Sequence, residues 1–143
     1  MKKAFVLLLA LGMSLPLFAS CERRIKIEQL PEPAREFIYN HFNDSEISRI
    51  EREKEHGQYE YTVRFKDRAK IEFDQNGRWK NIENHSSPIP ADALPQRIKE
   101  YIDGHHAGAD VREIERDNRG FEVKLTNGAE LQFDLAYNFI KYD

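Results

Sequence analysis

Apolar residues between Leu30 and Phe42 recur at helical spacing: Leu30, Ala34, Phe37, Ile38 and Phe42 fall on one face of a 3.6-residue repeat. Pro31 and Pro33 suit the first turn of that helix, where a missing N–H removes no hydrogen bond. Leu94, Ile98, Tyr101 and Ile102 draw the same face again, opened by Pro95 and closed near Gly104. The spacing predicts two helices, ending near Asn43 and near His105. Elsewhere the period is two. Tyr59, Tyr61, Val63 and Phe65 alternate with polar residues, as do Ala69, Ile71 and Phe73, then Phe121, Val123, Leu125, Ala129, Leu131 and Phe133. Alternation of this kind marks strands with one buried face. The opposite face then carries Glu60, Thr62, Arg64, Lys70 and Glu72, followed by Glu122, Lys124, Glu130 and Gln132, mostly charges able to pair across strands.

The inward positions all carry odd numbers, and that parity selects the turns. A two-residue turn at Asn127-Gly128 sets Leu125 opposite Glu130 and mixes the two faces. A three-residue loop, Thr126-Asn127-Gly128, instead pairs Leu125 with Ala129, Val123 with Leu131 and Phe121 with Phe133. It also puts Gly128 where a type I turn with a following bulge needs positive φ. The loop Gln75-Asn76-Gly77 works the same way and pairs Phe73 with Trp79, which therefore reads as core. Arg68 stands where Gly128 stands in the second hairpin, so strain or a different turn is expected there. The first strand of each unit starts near Ile50 or Ile114.

These correspondences run through the chain. Leu30-Pro31 returns as Leu94-Pro95, Phe37-Ile38 as Tyr101-Ile102, His41 as His105, and Ile50-Glu51-Arg52 as Ile114-Glu115-Arg116, each 64 positions later. From Val63 and Val123 through Ile71-Glu72-Phe73-Asp74 and Leu131-Gln132-Phe133-Asp134, the offset is 60. A change of offset inside a turn is what a duplicated unit with one shortened hairpin shows. The expectation is an α+β fold in two layers, a tandem repeat of one helix plus a four-stranded antiparallel β-meander. The first repeat spans 30–83 and the second 89–143. The linker, 84–88, is short, so the halves are expected to form one structural unit with a continuous sheet and both helices on one face.

Residues 1–20 belong to a different kind of segment. Lys2 and Lys3 precede an apolar stretch from Ala4 to Phe18, too short for a bilayer span of about 20 residues and fitting a secretory signal. Leu17-Phe18-Ala19-Ser20-Cys21 resembles a relaxed bacterial lipobox, in which the cysteine becomes a lipid-modified N-terminus. Cys21 is the single cysteine, which excludes an intrachain disulfide. Residues 21–29 then form a tether. Loss of the signal removes two of the 22 basic side chains and none of the 25 acidic ones, leaving a net charge of −5. That balance argues against nucleic acid or anionic lipid as the main partner.

The lipobox, the doubled Leu-Pro, Phe/Tyr-Ile and Ile-Glu-Arg motifs, and the Phe-Asp closing each alternating hairpin together resemble the PepSY-like, β-lactamase-inhibitor-like lipoproteins of Gram-negative envelopes. The likeness covers about residues 25–143. It implies a tandem α/β fold like that of the β-lactamase inhibitor protein and an extracytoplasmic location, at the periplasm or cell surface. It also implies peptide or protein binding without enzymatic activity and, for some members, calcium regulation. No catalytic motif accompanies it.

The residues themselves agree that chemistry is sparse. Ser45, Ser48, Ser86 and Ser87 lie outside any nucleophile elbow, and no phosphate-binding glycine loop or His-Glu-x-x-His pattern occurs. His41 and His105 fall at equivalent helix C-termini, where imidazole meets the helix dipole favourably. His105 and His106 are adjacent and diverge. Asp74 and Asp134 open equivalent turns and are expected to cap them. Tyr39, Tyr137 and Tyr142 lie outside the inward pattern and are the candidate anchors for a partner. The alternative is a calcium- or small-ligand-responsive sensor assembled from Asp44, Glu46, Asp103 and Asp110, although no Asp-x-Asp-x-Asp-Gly loop is present.

Overall fold

The computed structural model describes residues 21–143; the segment read as a secretory signal, residues 1–20, lies outside the described residues. Nine antiparallel strands form one sheet in which sequence order is spatial order. Strand β1 (Arg23–Ile25) precedes helix α1 (Glu32–His41), which is followed by β2 (Ile47–Glu55), β3 (Gln58–Phe65), β4 (Lys70–Phe73) and β5 (Trp79–Glu83). Helix α2 (Gln96–His105) leads into β6 (Val111–Arg116), β7 (Gly120–Leu125), β8 (Glu130–Asp134) and β9 (Phe139–Tyr142). Strand β1 occupies the segment read as a tether and pairs Ile25 with Ile50 and Arg24 with Glu51. A three-residue strand with two arginines shows no alternation, so its sequence carries no signal of it.

One file of paired residues crosses all nine strands: Ile25, Ile50, Val63, Ile71, Ile82, Ile114, Val123, Leu131 and Tyr142. Opposed residues of an antiparallel pair point to the same side, so this file defines the inner face. Val63, Ile71, Ile114, Val123 and Leu131 are wholly buried in it. Both helices cover that face. Phe37 of α1 meets Phe73 with ring centres 6.1 Å apart, Phe42 meets Phe65 at 5.3 Å, and Tyr101 of α2 meets Phe133 at 5.4 Å. Ala34, Ile38 and Ile98 on the predicted helix faces are completely buried.

The turns keep the inward residues in register. Val123 pairs with Leu131, Phe121 with Phe133 and Phe73 with Trp79. Gly128 and Gly77 take φ of +87° and +79°. The β3–β4 turn uses the same geometry without glycine: Arg68 sits at φ +72°, its N–H donating to the Phe65 carbonyl at 3.1 Å. A side chain in that region costs about 1–2 kcal/mol.

Strands β5 and β6 join the halves, pairing Ile82 with Ile114 and Asn81 with Glu115. Buried Asn84 braces the connection that follows. Its Oδ1 accepts from the Ser86 and Ser87 N–H groups at 2.8 and 3.0 Å, and its Nδ2 donates to Asp67 Oδ2 at 2.9 Å. The linker is thereby fastened to the β3–β4 turn.

Candidate functional site

The two edges of the sheet differ in chemistry. Strand β1 is short and two-thirds arginine, a combination that discourages further pairing. Strand β9 is Phe-Ile-Lys-Tyr, and among the described residues no strand pairs with it on its far side. Six large apolar side chains are exposed among the described residues, and four of them, Leu135, Tyr137, Ile140 and Tyr142, fall within residues 135–142. The repeat gives this edge its meaning. Sixty positions earlier, Trp79 and Ile82 of β5 match Phe139 and Tyr142 of β9. At β5 the next strand docks, and Ile82 is 1% exposed against Ile114. At β9 Tyr142 has Leu131 on one side only and is 50% exposed.

The loop before β9 is shaped by Asp134. Its Oδ1 accepts from the N–H groups of Ala136 and Asn138, both at 2.9 Å, and its Oδ2 from the Asn138 side-chain amide at 3.1 Å. The backbone bond from Asn138, then its side-chain amide, hold the Asp134 carboxyl below its usual range. Arg97 of α2 ties the loop from outside, with Nη1 donating to the Ala136 carbonyl and Nη2 to Asn138 Oδ1, both at 2.9 Å. Tyr137 is thereby held at φ +65°, in the place that Gly77 fills in the first copy. Its ring lies 5.1 Å from Phe121. Trp79, Leu94, Pro95, Arg116, Phe121 and Leu135 join it around an open cleft of about 370 Å³. Arg116 lies 5.6 Å from the Trp79 ring centre and 3.8 Å from Asp74 Oδ2. The result is an aromatic cleft with one cation, lined from β5, β6, β7 and the loop that leads into β9.

A family profile described as "Putative beta-lactamase-inhibitor-like, PepSY-like" matches residues 19–60 and 59–141. The chain belongs to this PepSY-like family. A crystal structure from Bacteroides vulgatus, described as a "putative periplasmic protein", is 35% identical with a TM-score of 0.81, covering 87% of this chain and 98% of its own. A "putative calcium-regulated periplasmic protein" from Bacteroides thetaiotaomicron is 35% identical with a TM-score of 0.80, over 85% and 96% of the two chains. A second Bacteroides vulgatus protein, periplasmic and of unknown function, is 31% identical with a TM-score of 0.77, over 85% and 98%. No curated protein matches the sequence. The descriptions of these relatives support an envelope or periplasmic location for the PepSY-like chain.

The remaining candidates of this PepSY-like protein are scattered. Tyr39 is exposed on α1 and makes no aromatic contact among the described residues. Asp103 is held by Lys99, Asp44 and Glu46 flank a short turn after α1, and Asp110 N–H donates to Thr126 Oγ1. Among the described residues no three acidic, histidine or cysteine side chains gather as a metal site would require. His41 Nδ1 contacts Asp92 at 3.1 Å, and His105 Nδ1 contacts the Tyr101 carbonyl at 2.9 Å while its ring stacks on Tyr101. His106 bridges Tyr142 and Asn127. None of these contacts reaches a serine. Trp79, Leu135, Phe121 and Ile140 are not anchors that the sequence pattern singles out; Leu135, beyond the last alternating strand, and even-numbered Ile140 are the available signal.

Proposed function

We propose that the protein is a non-catalytic envelope lipoprotein, anchored through lipid on Cys21, that binds an extended peptide segment of a protein partner along β9. The observation that carries this reading is the equivalence of the β9 edge to the β5 edge. The same inward file that ends on a docked strand at Ile82 ends on an open side at Tyr142. A peptide adding one strand there gains main-chain hydrogen bonds, and its apolar side chains would cover Tyr142 and meet the exposed Leu135 and Tyr137 of the loop that opens β9. The relaxed lipobox and the exposure of Cys21 support the anchor.

Cross-linked capture from native envelopes with the lipidated protein, read by mass spectrometry, tests the reading. One dominant partner is expected, lost with Tyr142→Ala or Tyr137→Gly. The glycine variant should melt close to the parent, because relief of about 1–2 kcal/mol at φ +65° offsets the lost packing of the ring on Phe121. Loss of capture with Tyr39→Ala alone would move the surface to α1, and no enrichment over a lipid-anchored control would end the partner reading. A calcium-responsive sensor is the alternative, supported by the description of the Bacteroides thetaiotaomicron relative. It requires a rise in melting temperature with calcium that a chelator reverses.

A further inference from the structure

Acids outnumber bases over the whole chain, yet one row of the first copy's outer sheet face is basic throughout. Arg49, Arg64 and Lys70 stand directly opposite one another across β2, β3 and β4. Their counterparts in the second copy, Glu113, Lys124 and Glu130, alternate in sign, and Lys124 pairs with Glu113 at 3.1 Å. Like charges in direct cross-strand opposition are destabilising, and carboxylates offset this within the row: Arg49 and Arg64 share Glu51, and Lys70 pairs with Glu72 and Glu83 at 2.9 and 3.2 Å. Arg24 comes from β1, a strand without a counterpart in the second copy. Arg68 comes from the strained β3–β4 turn. With Arg49, Arg64 and Ser48 they line an open hollow of about 410 Å³.

The carboxylates nearby do not neutralise it. Glu51 receives Arg49 Nε at 2.8 Å and Arg64 Nε at 3.1 Å, and is buried. Burial pushes its carboxyl up, but Glu22, Arg64 and Arg49 outweigh that and hold it below the usual range. Glu22, hydrogen-bonded to Glu51, is raised by that neighbour's bond and charge. Arg24 has no ion pair among the described residues, and Arg68 reaches only Ser86 Oγ at 3.4 Å. Four guanidinium groups thus face one opening with two carboxylates among them.

We propose that this arginine hollow binds the phosphate of anionic phospholipid headgroups, seating the first-copy side of the sheet on the membrane. Guanidinium forks match phosphate oxygens in pairs and remain charged at every physiological pH. Arg24 lies three residues from Cys21, and three extended residues span about 10 Å. A lipid on Cys21 would therefore bring the hollow to the headgroup layer, a step that rests on the lipoprotein reading. Stable anchoring commonly takes a lipid chain and a basic patch together.

The test uses residues 21–143, which contain the whole sheet and both helices, with Cys21→Ser so that no lipid chain contributes. Co-sedimentation is measured with vesicles of phosphatidylcholine alone or mixed with phosphatidylglycerol. Binding is expected to the mixed vesicles only, weakening as salt screens the surface. Arg24→Gln with Arg68→Gln should lower it by roughly fivefold for each arginine. Neither residue pairs with a carboxylate, so the melting temperature should hold and confirm folding. Equal binding to both vesicles, or undiminished binding by the double variant, overturns the proposal. Calorimetric uptake of inorganic phosphate without vesicle binding overturns it too, by assigning the hollow to a soluble anion. The lipid itself is read separately, as a mass increment on Cys21 of the native protein. Its absence would remove the anchor and leave the vesicle result to stand alone.

Discussion

Replacing Ile82 with Ala is expected to lower the unfolding free energy by about 2–5 kcal/mol while leaving a single cooperative transition. Ile82 is 1% exposed and stands between Ile71 and Ile114, at the seam where the first copy meets the second. The methyl and ethyl groups lost there belong to both halves, because the inner file runs unbroken through the seam. Urea unfolding followed by fluorescence of Trp79, the single tryptophan, and by far-ultraviolet circular dichroism should give coincident curves before and after the change. Two separated transitions would show that the copies unfold independently. The control is Tyr142→Ala, at the equivalent position of the second copy. With half of that side chain already in solvent, its loss should cost about 1 kcal/mol or less. A large cost at Tyr142 would mean that the β9 edge is part of the core rather than a docking edge.

The contrast between Ile82 and Tyr142 also shows what could be read from the chain without coordinates. Alternation is informative where one face is buried, which is why β3, β4, β7 and β8 and the loops between them follow from the parity of their apolar residues. Bulges reverse that parity by inserting one residue. The register shifts in β5 and β9 between the partners of Phe73 and Glu72, and of Phe133 and Gln132. Even-numbered Ile82 and Tyr142 thereby join the odd-numbered face, and a strict two-residue period cannot place them. The anchors suggest the same lesson. A capped loop turns Tyr137 toward Phe121 at the start of β9 and a bulge sets Tyr142 on the inner file at its end, whereas Tyr39 lies apart on α1. The candidate calcium carboxylates do not gather because Asp44 and Glu46 sit in the turn after α1, Asp103 on α2 beside Lys99, and Asp110 just before β6. Net charge hid the arginine hollow, since cross-strand register, not composition, decides which charges stand side by side.

Gly120→Ala is expected to be the most disruptive single methyl addition, costing about 3 kcal/mol or more, at the upper end for overpacking. A Cβ on Gly120 would lie 2.0 Å from the Phe133 carbonyl oxygen and 3.0 Å from the Asp134 Cα. Both are backbone atoms of the paired strand, so no rotamer change can yield. Asp117 fixes the approach from the other side, its Oδ1 accepting from the N–H groups of Arg119 and Gly120 at 2.7 and 3.1 Å. Relief therefore requires β8 to move at Phe133 and Asp134, and Asp134 is the residue that builds the loop carrying Tyr137. The variant should lose thermal stability and partner capture together. Tyr137→Gly should lose capture with little change in stability, so the size of the fall in melting temperature separates damage to the scaffold from removal of the anchor. A Gly120→Ala protein that melts like the parent would show that β7 and β8 can part at this point without cost. It would also remove the argument that the geometry of Asp134 is what holds Tyr137 in its left-handed conformation.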